Sequence, residues 1–208
     1  MKKKKIVVIG AHPDDPEGGM GGTLAKHSYK GDDVHIILCT LGGVLGDPKE
    51  REDEAKVAAR LLNAKLKVLD YPVSKLNQTS IEFVNVLKEA IERFYPDRLY
   101  THSLFDYHQV HVAVSKSALK AAGGIKQILF YEYVSSTTPE FKPNAYVDIS
   151  KYIELKVKCV EAHKSQTNKF YMHPNVIRSL ANTRYVWGKV GPNPNGFAEA
   201  FVIHKFIV

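Results

Sequence analysis

The chain has 208 residues, 44% of them hydrophobic and 25% charged, with a net charge of +7; this excludes a disordered, collagenous or coiled-coil protein. The longest apolar runs, such as Ile6 to Ile9 and Ile36 to Leu38, fall far short of the roughly 20 residues of a bilayer span, and the run behind Lys2 to Lys5 is too short for a secretory core. Cys39 and Cys159 are too few for a disulfide framework, so a cytoplasmic protein with no membrane partner is expected; the positive charge is spread along helices, Lys2 to Lys5 reads as a solvated terminus, and no nucleic-acid module is present, so no nucleic-acid partner is expected.

Lys5 to Gly10 is a β-branched apolar run that predicts a buried parallel strand. A helix is predicted over Gly19 to Tyr29, a strand over Val34 to Thr40, and a helix over Lys49 to Leu62, where Ala55, Ala58, Ala59 and Leu62 share one face. Leu66 to Leu69 is the third strand. Thr79 or Ser80 caps a helix running to about Tyr95, which Pro96 ends. Arg98 to Thr101 is the fourth strand, Val112 to Ala122 a helix stopped by Gly123 and Gly124, and Gln127 to Tyr133 the fifth strand. Strands alternating with helices imply an α/β fold, a Rossmann-like open and mostly parallel sheet with helices on both faces. The last third is less regular: a strand near Tyr146 to Ile149, helices from Lys151 to about His163 and near Pro174 to Asn182, a loop at Gly188 to Gly196, and a strand at Ala200 to Phe206. With no repeat or linker, residues 1–208 read as one domain.

Chemistry concentrates directly after the first strand, in Ala11-His12-Pro13-Asp14-Asp15-Pro16-Glu17. Ligands of open α/β sheets bind beyond the carboxyl ends of the strands, and the prolines stiffen this loop. Imidazole and carboxylate are zinc ligands, and a catalytic zinc takes three protein ligands with one position left for water. His12 and Asp15, three apart, can converge, while the adjacent Asp14 points elsewhere and can address a water. The plainer alternative is an N-cap cluster for the following helix. The second segment, Asp106-Tyr107-His108-Gln109-Val110-His111, leaves the fourth strand at the same edge. Histidines three apart can share a face; one can complete a His/Asp/His set and the other can serve as acid or oxyanion donor, or both can be surface residues. Tyr107 is a candidate for the site entrance, or simple packing.

Gly18, Gly19, Gly21 and Gly22 do not match phosphate-loop spacings. Cys39 reads as core, and His27, His35, His163, His173 and His204 lack partners in sequence. Trp187, beside the Gly188 to Gly196 loop, fits either a lid or an oligomer contact.

AHPDDPE, followed by Gly21-Gly22-Thr23-Leu24, the helix Arg51-Glu52-Asp53-Glu54-Ala55-Lys56-Val57-Ala58-Ala59 and HxxH, resembles the LmbE-like or PIG-L zinc-dependent N-deacetylases. Supporting matches are Val147-Asp148-Ile149 with Lys156, Ser165-Gln166, and Phe197-Ala198-Glu199-Ala200-Phe201, so the resemblance covers nearly the whole chain. It implies a Zn2+ cofactor, or another divalent metal, held by His12, Asp15 and His111. It further implies Asp14 as general base, His108 assisting the oxyanion or leaving amine, and Arg51 in substrate binding. The implied substrate is a small acylated amino-sugar of the N-acetylglucosamine type. The family usually reads HxDH; here Val110 replaces the aspartate that orients the neighbouring histidine, and Asp106 is a substitute candidate. Val110 also motivates an alternative, a non-catalytic sugar- or metal-binding member. A third alternative is a nucleotide-binding protein in which His12 and Asp15 are only loop structure. The irregular last third is expected to shape specificity and offers a surface for homo-oligomer packing.

Overall fold

A computed structural model describes residues 3–42, 46–76 and 80–208. The elements in order are β1 (Lys5–Gly10), α1 (Asp15–Tyr29), β2 (Asp33–Leu38), α2 (Pro48–Leu61), β3 (Lys65–Val68), α3 (Ile81–Glu92), β4 (Arg98–His102), α4 (Gln109–Ala121), β5 (Gln127–Tyr131), β6 (Ala145–Asp148), α5 (Ile153–Glu161), α6 (Pro174–Trp187) and β7 (Ala198–Phe206). The strands form one seven-stranded sheet in the order β3-β2-β1-β4-β5-β7-β6. β1 to β5 pair in parallel, whereas β7 runs antiparallel between β5 and β6. The Rossmann-like reading of the alternating strands and helices therefore holds.

Period-2 alternation sorts the sheet's side chains. Val7, Ile9 and Ile37 face α3 and α4, packing on Phe83, Leu87, Val114 and Ala118. Ile6, Val8 and Ile36 face the opposite layer, with Leu24 of α1 and the alanine face of α2. A smaller cluster, including Ile149, Val157 and Ile177, ties α5 to α6.

Strand order reverses between β1 and β4, the topological switch point at which doubly wound sheets bind ligands. Both chemistry-bearing loops leave the sheet at this crevice. Ser80 caps α3, accepting from Phe83 N at 3.2 Å; the alternative cap, Thr79, lies outside the described residues, as does Lys2 of the basic run.

Two elements differ from the sequence reading in ways that bear on the site. α1 begins at Asp15, four residues before the expected start, because Pro16 suits the first helical turn and Asp14 sits at the N-cap position. It is broken at Met20 (φ −146°, ψ 26°), which frees the next N–H groups; those of Gly22 and Thr23 donate to the Glu199 carboxylate of β7 at 3.0 and 2.7 Å. Glu199 is itself paired with buried Lys156 at 2.6 Å. α6 continues to Trp187, beyond the expected Asn182.

Candidate metal and catalytic site

His12 comes from the loop after β1, Asp15 from the first position of α1, and His111 from the first turn of α4. One Asp15 oxygen stands 3.3 Å from His12 Nδ1 and the other 3.4 Å from His111 Nε2. Asp15 therefore lies between the two histidines, while the ligand atoms that converge within 4.8 Å form two overlapping sets, His12–His108–His111 and Asp15–His102–His111. His108 joins them, its ring stacked on His111 at 4.2 Å and edge-on to His12 at 4.9 Å. Asp15 is buried, and its carboxyl lies well below the usual range: burial opposes its charge, but His111 and His102 outweigh that cost.

The donor chemistry fits a zinc ion. His102, fully buried at the end of β4, is a competing donor 3.1 Å from Asp15, but its Nε2 already accepts the Ala11 N–H at 3.0 Å. The same nitrogen meets Tyr131 Oη at 2.9 Å, and with Asp15 and His111 it forms an alternative donor set for a metal. His12 and His108 reach solvent, leaving an open side to the cluster. Asp106 holds the third candidate ligand, 3.0 Å from His111 Nδ1, the outer-sphere arrangement that fixes a ligating imidazole. Asp106, the substitute candidate from the sequence, thus contacts His111 and leaves the His108 ring without a carboxylate among the described residues. With Val110 packed against the core, no hydrogen bond reaches the His108 ring among the described residues.

Asp14 diverges from Asp15 because its backbone takes a left-handed conformation, φ 93°, rare outside glycine. Its carboxylate accepts from Tyr133 Oη at 2.9 Å and lies 3.5 Å from Arg51 Nη2. Burial, then the charge of Asp15, raises the Asp14 pKa to about 6, against the opposing pull of His163, Arg51 and Lys169. Gly18 makes room for Tyr133, since a Cβ there would meet its ring at 2.8 Å. Arg51 is buried and donates to Pro13 O at 3.0 Å, so it braces the loop as well as facing the cavity.

These groups line a cavity of about 270 Å³ with Gly42, Val73, Val110, Ser135, Gln166, Lys169 and Tyr171. Tyr107 is not among them: its ring is 72% exposed and lines a neighbouring depression with Asp106 and Gln109. His102 and Tyr133 were missed by the sequence reading. A histidine closing a strand at the crevice was the available signal for His102, while nothing local marked Tyr133. His163, set aside as partnerless, is buried 3.5 Å from Glu17. Cys39 is buried core, with its thiol pushed upward by burial.

The sequence profile of the GlcNAc-PI de-N-acetylases, PIG-L, matches residues 7–122, and an uncharacterized deacetylase of Escherichia coli, YaiS, is 31% identical over 79% of this chain and 92% of its own. The chain belongs to the PIG-L family. The diacetylchitobiose deacetylase of Thermococcus kodakarensis is 28% identical over 78% of this chain and 70% of its own length. Among solved structures, GalB, the 4-carboxy-2-hydroxymuconate hydratase of Pseudomonas putida, superposes with a TM-score of 0.83 at 20% identity, covering 99% of this chain and 98% of that one. That likeness shows the fold alone; within a PIG-L fold the site must specify the reaction.

Proposed function

We propose that this PIG-L protein is a metal-dependent N-deacetylase that hydrolyses the acetamide of an N-acetylglucosamine-type small molecule, with zinc held by His12, Asp15 and His111. The observation that carries this reading is Asp15 bridging His12 and His111, at 3.3 and 3.4 Å, on a cavity wall where a second carboxylate is held apart. The deacetylase relatives support the amide as the bond and an amino-sugar as its bearer.

When bound, zinc supplies Lewis acidity and lowers the pKa of a coordinated water to about 7. Asp14 is the general base: it takes the proton of the attacking water and returns it to the leaving amine. Tyr133, donating to one Asp14 oxygen, and Arg51, beside the other, keep the carboxylate facing the cavity. His108, at the solvent side of the cluster, offers a ring N–H to the oxygen that becomes negative as the carbonyl is attacked. His102 and Asp106 hold the ligand set in place.

Asp14→Asn is expected to retain stoichiometric zinc while kcat for acetate release from N-acetylglucosamine or diacetylchitobiose falls about 10²–10⁴-fold. Full activity in this variant would remove Asp14 from the mechanism. One observation favours a second reading: among the described residues, no carboxylate contacts the His108 ring. A wild-type protein that binds zinc, releases no acetate and gains activity on Val110→Asp would be a binding member of the family.

A further inference from the structure

The cavity is also lined by residues from the turns between α5 and α6, which the hydrolytic reading leaves unused. Gln166 is 2% exposed; its Nε2 donates to Ser165 Oγ at 3.0 Å, but its buried Oε1 has no hydrogen-bond partner among the described residues. Arg51 Nε, of a residue on the same cavity, is likewise buried without a partner among the described residues. A buried polar atom left unsatisfied is destabilising, so both favour a polar partner.

Lys169 completes this wall. Its ammonium stands over the Tyr171 ring, 5.7 Å from the centroid, and has no carboxylate within 4.0 Å among the described residues. The buried Lys156, by contrast, is neutralised by Glu199 at 2.6 Å. A lysine held by an aromatic face, unpaired and lining a substrate cavity, is a point charge suited to an anion. The cavity, about 270 Å³, lies near the low end of small-molecule sites, which favours a compact ligand.

We propose that Lys169, with Gln166 and Arg51 Nε, forms a subsite for an anionic substituent, a phosphate or carboxylate, on the acylated amino-sugar. Gln166 Oε1 accepts from a sugar hydroxyl, and Lys169 sets the preference for charge. The proposal rests on the deacetylase reading for the identity of the reacting bond and adds what the rest of the substrate carries. It competes with a plainer role, in which Lys169 serves only to offset the Asp14 charge.

The test compares zinc-loaded wild type and Lys169→Ala on N-acetylglucosamine, N-acetylglucosamine 6-phosphate and N-acetylmuramate. Wild type is expected to prefer an anionic substrate by about tenfold or more in kcat/KM, and Lys169→Ala to erase that preference through KM. The phosphate and carboxylate arms identify which anion the subsite takes. An equal loss on neutral and anionic substrates, or no initial preference, overturns the proposal. Calorimetric binding of glucosamine 6-phosphate and glucosamine provides an arm independent of turnover. Tighter phosphate binding that Lys169→Ala removes upholds the subsite even if no acetate is released; equal or absent binding rejects it.

Discussion

Asp14 and Asp15 are neighbours in the chain with different partners. Asp15 enters the helix and turns to three histidines; Asp14 stays outside it, at φ 93°, and turns to Tyr133. Non-glycine residues in such conformations cost about 1–3 kcal/mol and cluster at functional sites. Removing the Tyr133 hydroxyl should release Asp14 without disturbing the ligand set. Tyr133→Phe is therefore expected to lower kcat with KM and zinc content little changed, read by steady-state kinetics beside metal analysis. Asp106→Asn should act on the metal instead: with His111 no longer held by a carboxylate, zinc affinity is expected to fall about 10–100-fold in a competition titration with a chelator. The candidate ligands were legible because His12, Asp15 and His111 lie in or just after two short loops of unusual composition, at the starts of α1 and α4. His102 was hidden because a strand-end histidine looks the same whether it faces solvent or fills the crevice. Tyr133 was hidden because its contact spans 119 residues.

At the scale of elements, the broken helix α1 depends on Glu199. Its carboxylate accepts two freed N–H groups and neutralises Lys156, all within the buried layer. Glu199→Ala leaves that lysine buried and uncompensated, and is expected to cost about 3–5 kcal/mol, seen as a lower midpoint in urea unfolding. The helix periodicities of α2 and α3 were readable, since each buries one regular face. The start of α1 was not, because Asp-Pro-Glu suits a loop as well as a first turn, and the partner of its interior N–H groups lies 177 residues away. On the strand side, Asp33 of β2 receives hydrogen bonds from His35 and from Lys65 of β3, which hold its carboxyl at about 2, below its ordinary 3.8. A depressed carboxyl stabilises the fold above its unfolded pKa and loses that contribution as pH falls from about 4 to about 2. Asp33→Asn should therefore cost at most about 1 kcal/mol near neutrality, with the difference vanishing at the acid end of a pH-dependent denaturation series.

For the whole molecule, the parallel half of the sheet follows from apolar runs alternating with amphipathic helices. The insertion of β7 between β5 and β6 does not, since an antiparallel strand late in the chain carries no local mark of its neighbours. The proposed metal site sits beyond the carboxyl ends of the strands, outside the apolar layers, so chelation should leave the fold intact. Zinc at 100 times its dissociation constant would add about 2.7 kcal/mol, so EDTA is expected to abolish turnover and lower the thermal midpoint by roughly 5–11 °C with far-UV circular dichroism retained. The position of β7 also bears on synthesis. A nascent chain with β1 to β5 outside the ribosome already carries His12, Asp14, Asp15 and His111, but Glu199, which steadies the helix beneath them, is still unmade. The polypeptide therefore holds the reactive groups long before it can brace them, and competence arrives late in translation, with the strand that slots in beside β5.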